Sequence, residues 1–136
     1  MKPPAPAMAG RLAPGDTERI RALVLATGFF SAEEAGIAGE LADEALARGE
    51  GSGYRFIRAG EPAGDLLGFA CFGPIPGTRA SWDLYWIVVG PAAQGQGLGR
   101  RLLDGVERAV RAAGGRRIYI DTSTRPQYAP TRAFYR

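Results

Sequence analysis

The sequence predicts a mixed α/β fold, with helices packed on a sheet that is antiparallel on one side and parallel on the other. Three observations carry this. Apolar residues recur at helical spacing over 16–49 and again over 97–113. Between those stretches, 53–59, 66–72 and 81–89 are short runs rich in aromatic and β-branched residues, as strands are. Finally, strand–helix–strand over 82–122 requires a parallel, right-handed crossover, whereas the preceding strands form a meander.

Taken in order, MKPPAPAMAG has one lysine and no apolar stretch, so residues 1–9 read as a disordered tail and not a secretory signal. Residues 10–136 form one domain, since 136 residues suffice for one core and not two. GRLAP at 10–14 gives a short first strand. Asp16 caps a helix whose Ile20, Leu23, Val24 and Thr27 share a face, until Gly28-Phe29-Phe30 breaks it. Ser31 and Glu34 spell a capping box for a second helix, with Ala38, Leu41, Ala42, Ala45 and Leu46 inward and an end near Gly49. GYRFIRA and LLGFACF pair through the turn EPAGD, and GPIPGT at 73–78 is a loop. SWDLYWIVV is the most strand-prone segment. The next helix, 97–113, has an apolar stripe of Leu98, Leu102, Leu103, Val106, Ala109, Val110 and Ala113, with Asp104–Arg108 and Glu107–Arg111 as pairs on its wet side. RRIYIDTS at 116–123 is a strand, and YAPTRAFYR starts a last helix.

Composition narrows the chemistry. There is no histidine and one cysteine, which excludes His-based triads, His or thiolate metal sites and an internal disulfide. The sole lysine, Lys2, lies in the tail, which argues against Schiff-base chemistry. No metal is expected. No apolar run reaches the roughly 20 residues that span a bilayer, and nothing points outside the cytoplasm. The net charge of +3 comes from dispersed arginines mixed with acids, which suits a phosphate-bearing ligand and does not make a nucleic-acid stripe.

The glycines of GPAAQGQGLGRRLL stand where a helix begins. There several amides lack partners and the helix dipole is positive, so removing side chains at Gly95, Gly97 and Gly99 leaves an anion cradle, with Arg100 and Arg101 adding charge. A bare glycine turn serving only tight packing explains the same residues about as well. A dinucleotide-binding fold fits poorly: it needs G-x-G-x-x-G directly after the strand, and here the spacing is G-x-G-x-G with four residues between Gly90 and Gly95.

Gln94, Gly97 and Gly99, as Q-x-x-G-x-G after an apolar strand, together with the order of elements and the terminal TRAFYR, resemble the GNAT superfamily of N-acetyltransferases from about residue 10 to the chain end. The resemblance implies a GNAT-like acyl-CoA N-acyltransferase fold, here truncated after the start of its last helix. It implies that acetyl-CoA is the cosubstrate, its diphosphate on backbone groups of Gln94, Gly95, Gln96, Gly97, Leu98, Gly99 and Arg100, beside Arg101. The pantetheine arm would pair like an extra strand with Ile87, Val88 and Val89 where two parallel strands splay.

Acetyl transfer needs a base for the amine and a proton for the departing thiolate. Asp83 lies where many relatives carry a base, and strand alternation puts it on a face with Tyr85, Ile87 and Val89; a water chain serves in other members. Tyr135 matches the tyrosine that often protonates the thiolate, while Tyr128 stands where relatives commonly have asparagine. Phe30, Glu34 and Tyr85 are acceptor-contact candidates, although Glu34 also has its capping role. Cys71 reads as inert core. The expected activity is acetylation of a primary amine of a small molecule or amino-acid-like acceptor by direct attack in a ternary complex. The alternative is a non-catalytic CoA-binding or regulatory subunit. Relatives continue beyond this point, so a homodimer or partner chain completing the exposed sheet edge is also expected.

Overall fold

The computed structural model describes residues 7–61 and 63–120. A five-stranded sheet has the order β1 (Met8–Ala9), β2 (Arg55–Ala59), β3 (Gly68–Pro74), β4 (Ser81–Val89) and β5 (Arg117–Ile120). The first four run antiparallel to their neighbours, and β4 with β5 is parallel, with Ser81–Leu84 opposite Arg117–Ile120. Two helices, α1 (Asp16–Ala26) and α2 (Ala32–Arg48), cover one face; α3 (Leu98–Ala112) covers the other. The predicted mixed sheet is therefore present. The segment at 121–136, including the expected last helix, lies outside the described residues.

The α3 stripe is buried as its spacing demands, with Leu98, Leu102, Leu103, Val106 and Val110 against Ile57, Ala70, Phe72, Leu84 and Ile87. The exposed Ala113 drops out of it. On the opposite face Ile20 and Val24 of α1 and Ala35, Ala38 and Ala42 of α2 meet Phe56, Phe69, Cys71 and Val88. The Ser31–Glu34 capping box forms as read, through Glu34 N–H to Ser31 Oγ at 3.1 Å and Ser31 N–H to Glu34 Oε1 at 3.0 Å.

Four expectations are corrected. The first strand is Met8–Ala9, paired with Ala59 and Arg58, so it lies inside the stretch assigned to a tail, and 10–14 leads into α1. Gly15, left-handed at φ 90°, is the cap of α1; Asp16 is its first helical residue and is fully buried. Gly73 and Pro74 continue β3 where a loop was expected. Neither Asp104–Arg108 nor Glu107–Arg111 is among the ion pairs of the described residues, which lie on α1, α2, the turn at Gly49–Ser52 and β2.

Candidate active site

One irregularity in β4 decides what faces what. Along β3 and β4, Cys71 is opposite Trp86 and Phe72 is opposite Leu84, so Tyr85 is an extra residue in a β-bulge. Before the bulge Trp82 and Leu84 point to α3; after it Ile87 and Val89 do, while Trp86 and Val88 join the α1–α2 side. The α1–α2 face therefore holds Asp83, Tyr85, Trp86 and Val88. The expected grouping of Asp83 with Ile87 and Val89 is wrong, because simple alternation does not survive an inserted residue.

The bulge brings two aromatic side chains to one side. Tyr85 meets Tyr54 edge-on with ring centres 5.6 Å apart, and Trp86 meets Phe30 at 5.1 Å. Tyr85 is 37% exposed, Asp83 and Trp86 half-buried. Burial, and after it the negative charge of Asp83, raise the Tyr85 phenol above its ordinary value. Glu34 has one carboxylate oxygen committed to the Ser31 amide, and its capping bonds anchor the loop that presents Phe30.

The main chain of β4 also sorts its residues. Gly90 N–H donates to Leu67 O at 2.8 Å, so in the alternation of an antiparallel ladder Val88 and Trp86 direct their amides and carbonyls to β3. Ile87 and Val89 direct theirs to the opposite edge. Among the described residues nothing in β5 pairs with that edge beyond Leu84. Of the three residues expected to offer strand-like pairing, Ile87 and Val89 face the right way and Val88 does not. Gln94 reaches back to this edge, its Nε2 donating to Val89 O at 3.3 Å.

Beyond Gly90 a short 3₁₀ turn, Pro91–Ala93, leads to the glycines. Gly95 and Gly97 are left-handed, at φ 79° and 75°, a conformation costly for any residue with a β-carbon. Gly97 is the cap of α3, and residues 94–97 are exposed. A β-carbon on Gly95 or Gly97 would meet nothing within 4 Å, and one on Gly99 only Val89 Cγ2 at 3.7 Å, an ordinary contact. Packing inside the chain therefore does not require Gly99 to be glycine. The first intrahelical bond is Arg101 N–H to Gly97 O, which puts the amides of Leu98 and Gly99 in the first turn at the helix head. No acid lies in the first turn, Arg100 is exposed, and the Leu98 side chain is buried in the core. This is a surface that suits an anion.

A cavity of about 690 Å³ lies elsewhere, between residues 8–12, the end of α2 and Arg108–Ala109 of α3. None of the glycine-turn residues lines it, so it is not this site. Among the described residues no cluster of three His, Cys, Asp or Glu is fit to hold a metal ion, and no helix is long and apolar enough to cross a membrane. Tyr128 and Tyr135 lie outside the described residues.

A bulged strand, an open edge and a glycine turn at a helix head thus lie together along β4 and the start of α3. The model for the Acetyltransferase (GNAT) family matches residues 29–136, and the chain belongs to that family. Among solved structures it is similar to a GNAT-family protein from Desulfovibrio desulfuricans, with 46% identity, a TM-score of 0.85, and coverage of 96% of this chain and 82% of that one. A ribosomal-protein-alanine N-acetyltransferase from Brucella melitensis shares the fold at 18% identity and a TM-score of 0.69, over 96% of this chain and 88% of that one. So does an aminoglycoside 6'-N-acetyltransferase complexed with coenzyme A, at 21% identity and 0.63, over 84% of this chain and 60% of that one. A search of the curated proteins finds no match.

Proposed function

We propose that the chain is an acetyl-CoA-dependent N-acetyltransferase acting on the primary amine of a small or amino-acid-like acceptor. The observation that supports this most is the exposed glycine turn at the head of α3, left-handed at Gly95 and Gly97, next to the outward-facing main chain of Ile87 and Val89. Helix-head amides and the dipole of α3 suit a diphosphate, with Arg100 and Arg101 supplying charge. An amide-bearing arm can pair with Ile87 and Val89 by strand addition. The aminoglycoside enzyme that shares the fold was solved with coenzyme A, in keeping with this assignment.

When bound, acetyl-CoA supplies the activated acyl group. Asp83 takes the proton that the attacking ammonium must lose, a C–N bond forms as the C–S bond breaks, and the thiolate is protonated by Tyr135. The last role rests on sequence resemblance alone.

The test is calorimetry of the full chain with coenzyme A and acetyl-CoA, followed by turnover with a panel of primary amines. Binding of both is expected, with Asp83→Asn lowering kcat while leaving coenzyme A affinity intact. Absence of heat with either nucleotide from folded protein would overturn the proposal.

A further inference from the structure

We infer that the acceptor is a monoamine carrying an aromatic or bulky apolar body, and not a polycation. This deepens the acetyl-transfer proposal and rests on it. The β4 bulge puts Tyr85 and Trp86 side by side on the face that holds Asp83, where regular alternation would have sent one of them to α3. Each is extended by a second ring: Tyr54 stands edge-on to Tyr85, and Phe30 from the α1–α2 connection tilts at 50° onto Trp86. Tyr85 keeps 37% of its surface open, and the neighbouring Phe29 keeps 52%. Exposed ring surface of this kind next to one carboxylate matches a ligand with a ring at one end and an ammonium at the other.

Charge on β4 favours a monoamine over the other main class. A polycationic amine is held by several carboxylates, whereas Asp83 is the single acid that β4 sets beside Tyr85. Glu34 has an oxygen committed to its cap, which leaves Asp83 as the carboxylate on this face of β4. The remaining stretch, 121–136, adds only one acid, Asp121, against three arginines.

The experiment titrates coenzyme A-saturated full chain with 2-phenylethylamine, ethylamine and kanamycin. The phenyl compound is expected to bind about tenfold or more tightly than ethylamine, with kanamycin no better than ethylamine. Tyr85→Leu and Trp86→Leu, checked for native melting, should shrink the ring preference severalfold. Asp83→Asn, checked for native melting in the same way, should weaken both monoamines together. A preference for kanamycin, or a ring preference unchanged in both leucine variants, overturns the inference while leaving acetyl transfer standing. No heat with coenzyme A itself removes both.

Discussion

Arg58 on β2 and Asp16 at the start of α1 form an ion pair with almost no solvent contact, Nε to Oδ2 at 2.9 Å and Nη2 to Oδ1 at 3.3 Å. The pair ties the second strand of the sheet to the helix layer across 42 residues of sequence. Both groups are otherwise satisfied. Asp16 Oδ2 also accepts Ala13 N–H at 2.7 Å, and the guanidinium donates to the carbonyls of Gly60, Glu61 and Gly64 in the β2–β3 turn.

Asp16→Asn strands the Arg58 charge and should cost about 3–5 kcal/mol in urea unfolding, and Arg58→Met should cost less, because Asp16 keeps Arg19 Nη1 at 3.0 Å. The double variant should recover part of that loss, because no lone charge remains. Additive losses in the double variant would mean that the two side chains do not act as a pair.

This pair also shows where sequence reading stops. Asp16 precedes a run at helical spacing and so looks like a cap; only the pairing of β2 beneath α1 shows it to be the partner of Arg58. Local grammar carried the rest well. Ser31 and Glu34 fixed the start of α2 because both capping bonds lie within four residues, and the α3 stripe followed from its own period. Glycines at 95 and 97 marked the turn because a left-handed backbone selects them. The bulge at Tyr85 had no such signal: no glycine marks it, and it exists only in the register with β3. The faces assigned to Ile87 and Val89 relative to Asp83 were therefore inverted. The two-residue β1 is too short for any period to reveal.

Tyr85 and Asp83 predict a titration. Burial first, and the Asp83 charge second, hold the phenol above its ordinary 10.0. A difference titration of wild type against Tyr85→Phe should therefore give a phenolate midpoint above pH 10.0. In Asp83→Asn one of the two main causes is gone, so that midpoint should fall towards 10.0. A midpoint that stays fixed would separate the two side chains electrostatically and weaken their assignment to one site.

Cys71 is fully buried on β3, and burial pushes its thiol far above the ordinary 9.0. The native protein should therefore resist alkylation at pH 8, and react only at the rate at which it opens. The sign of the pH effect follows from proton counts. Below pH 9.0 both states hold the proton; above it the unfolded chain releases its proton first, so stability falls as pH rises. Cys71→Ser would remove that slope, and rapid labelling of the folded protein at pH 8 would contradict the burial.

Gly97 and Gly99 separate folding from binding. Gly97 is left-handed at φ 75°, so Gly97→Ala should lower stability by about 1–2 kcal/mol through backbone strain alone. Gly99 lies within α3, and its added methyl would meet only Val89 Cγ2 at 3.7 Å. Replacing it by alanine removes glycine's helical entropy cost, so Gly99→Ala should leave stability unchanged or raise it by up to about 1 kcal/mol. Yet the methyl projects beside the helix-head amides, and coenzyme A affinity should drop about tenfold or more in calorimetry. Stability rising while binding falls is the signature of a glycine kept for its ligand. Were Gly99→Ala to bind coenzyme A as tightly as the parent chain, the glycines would serve the turn alone, and the diphosphate would have to be held elsewhere.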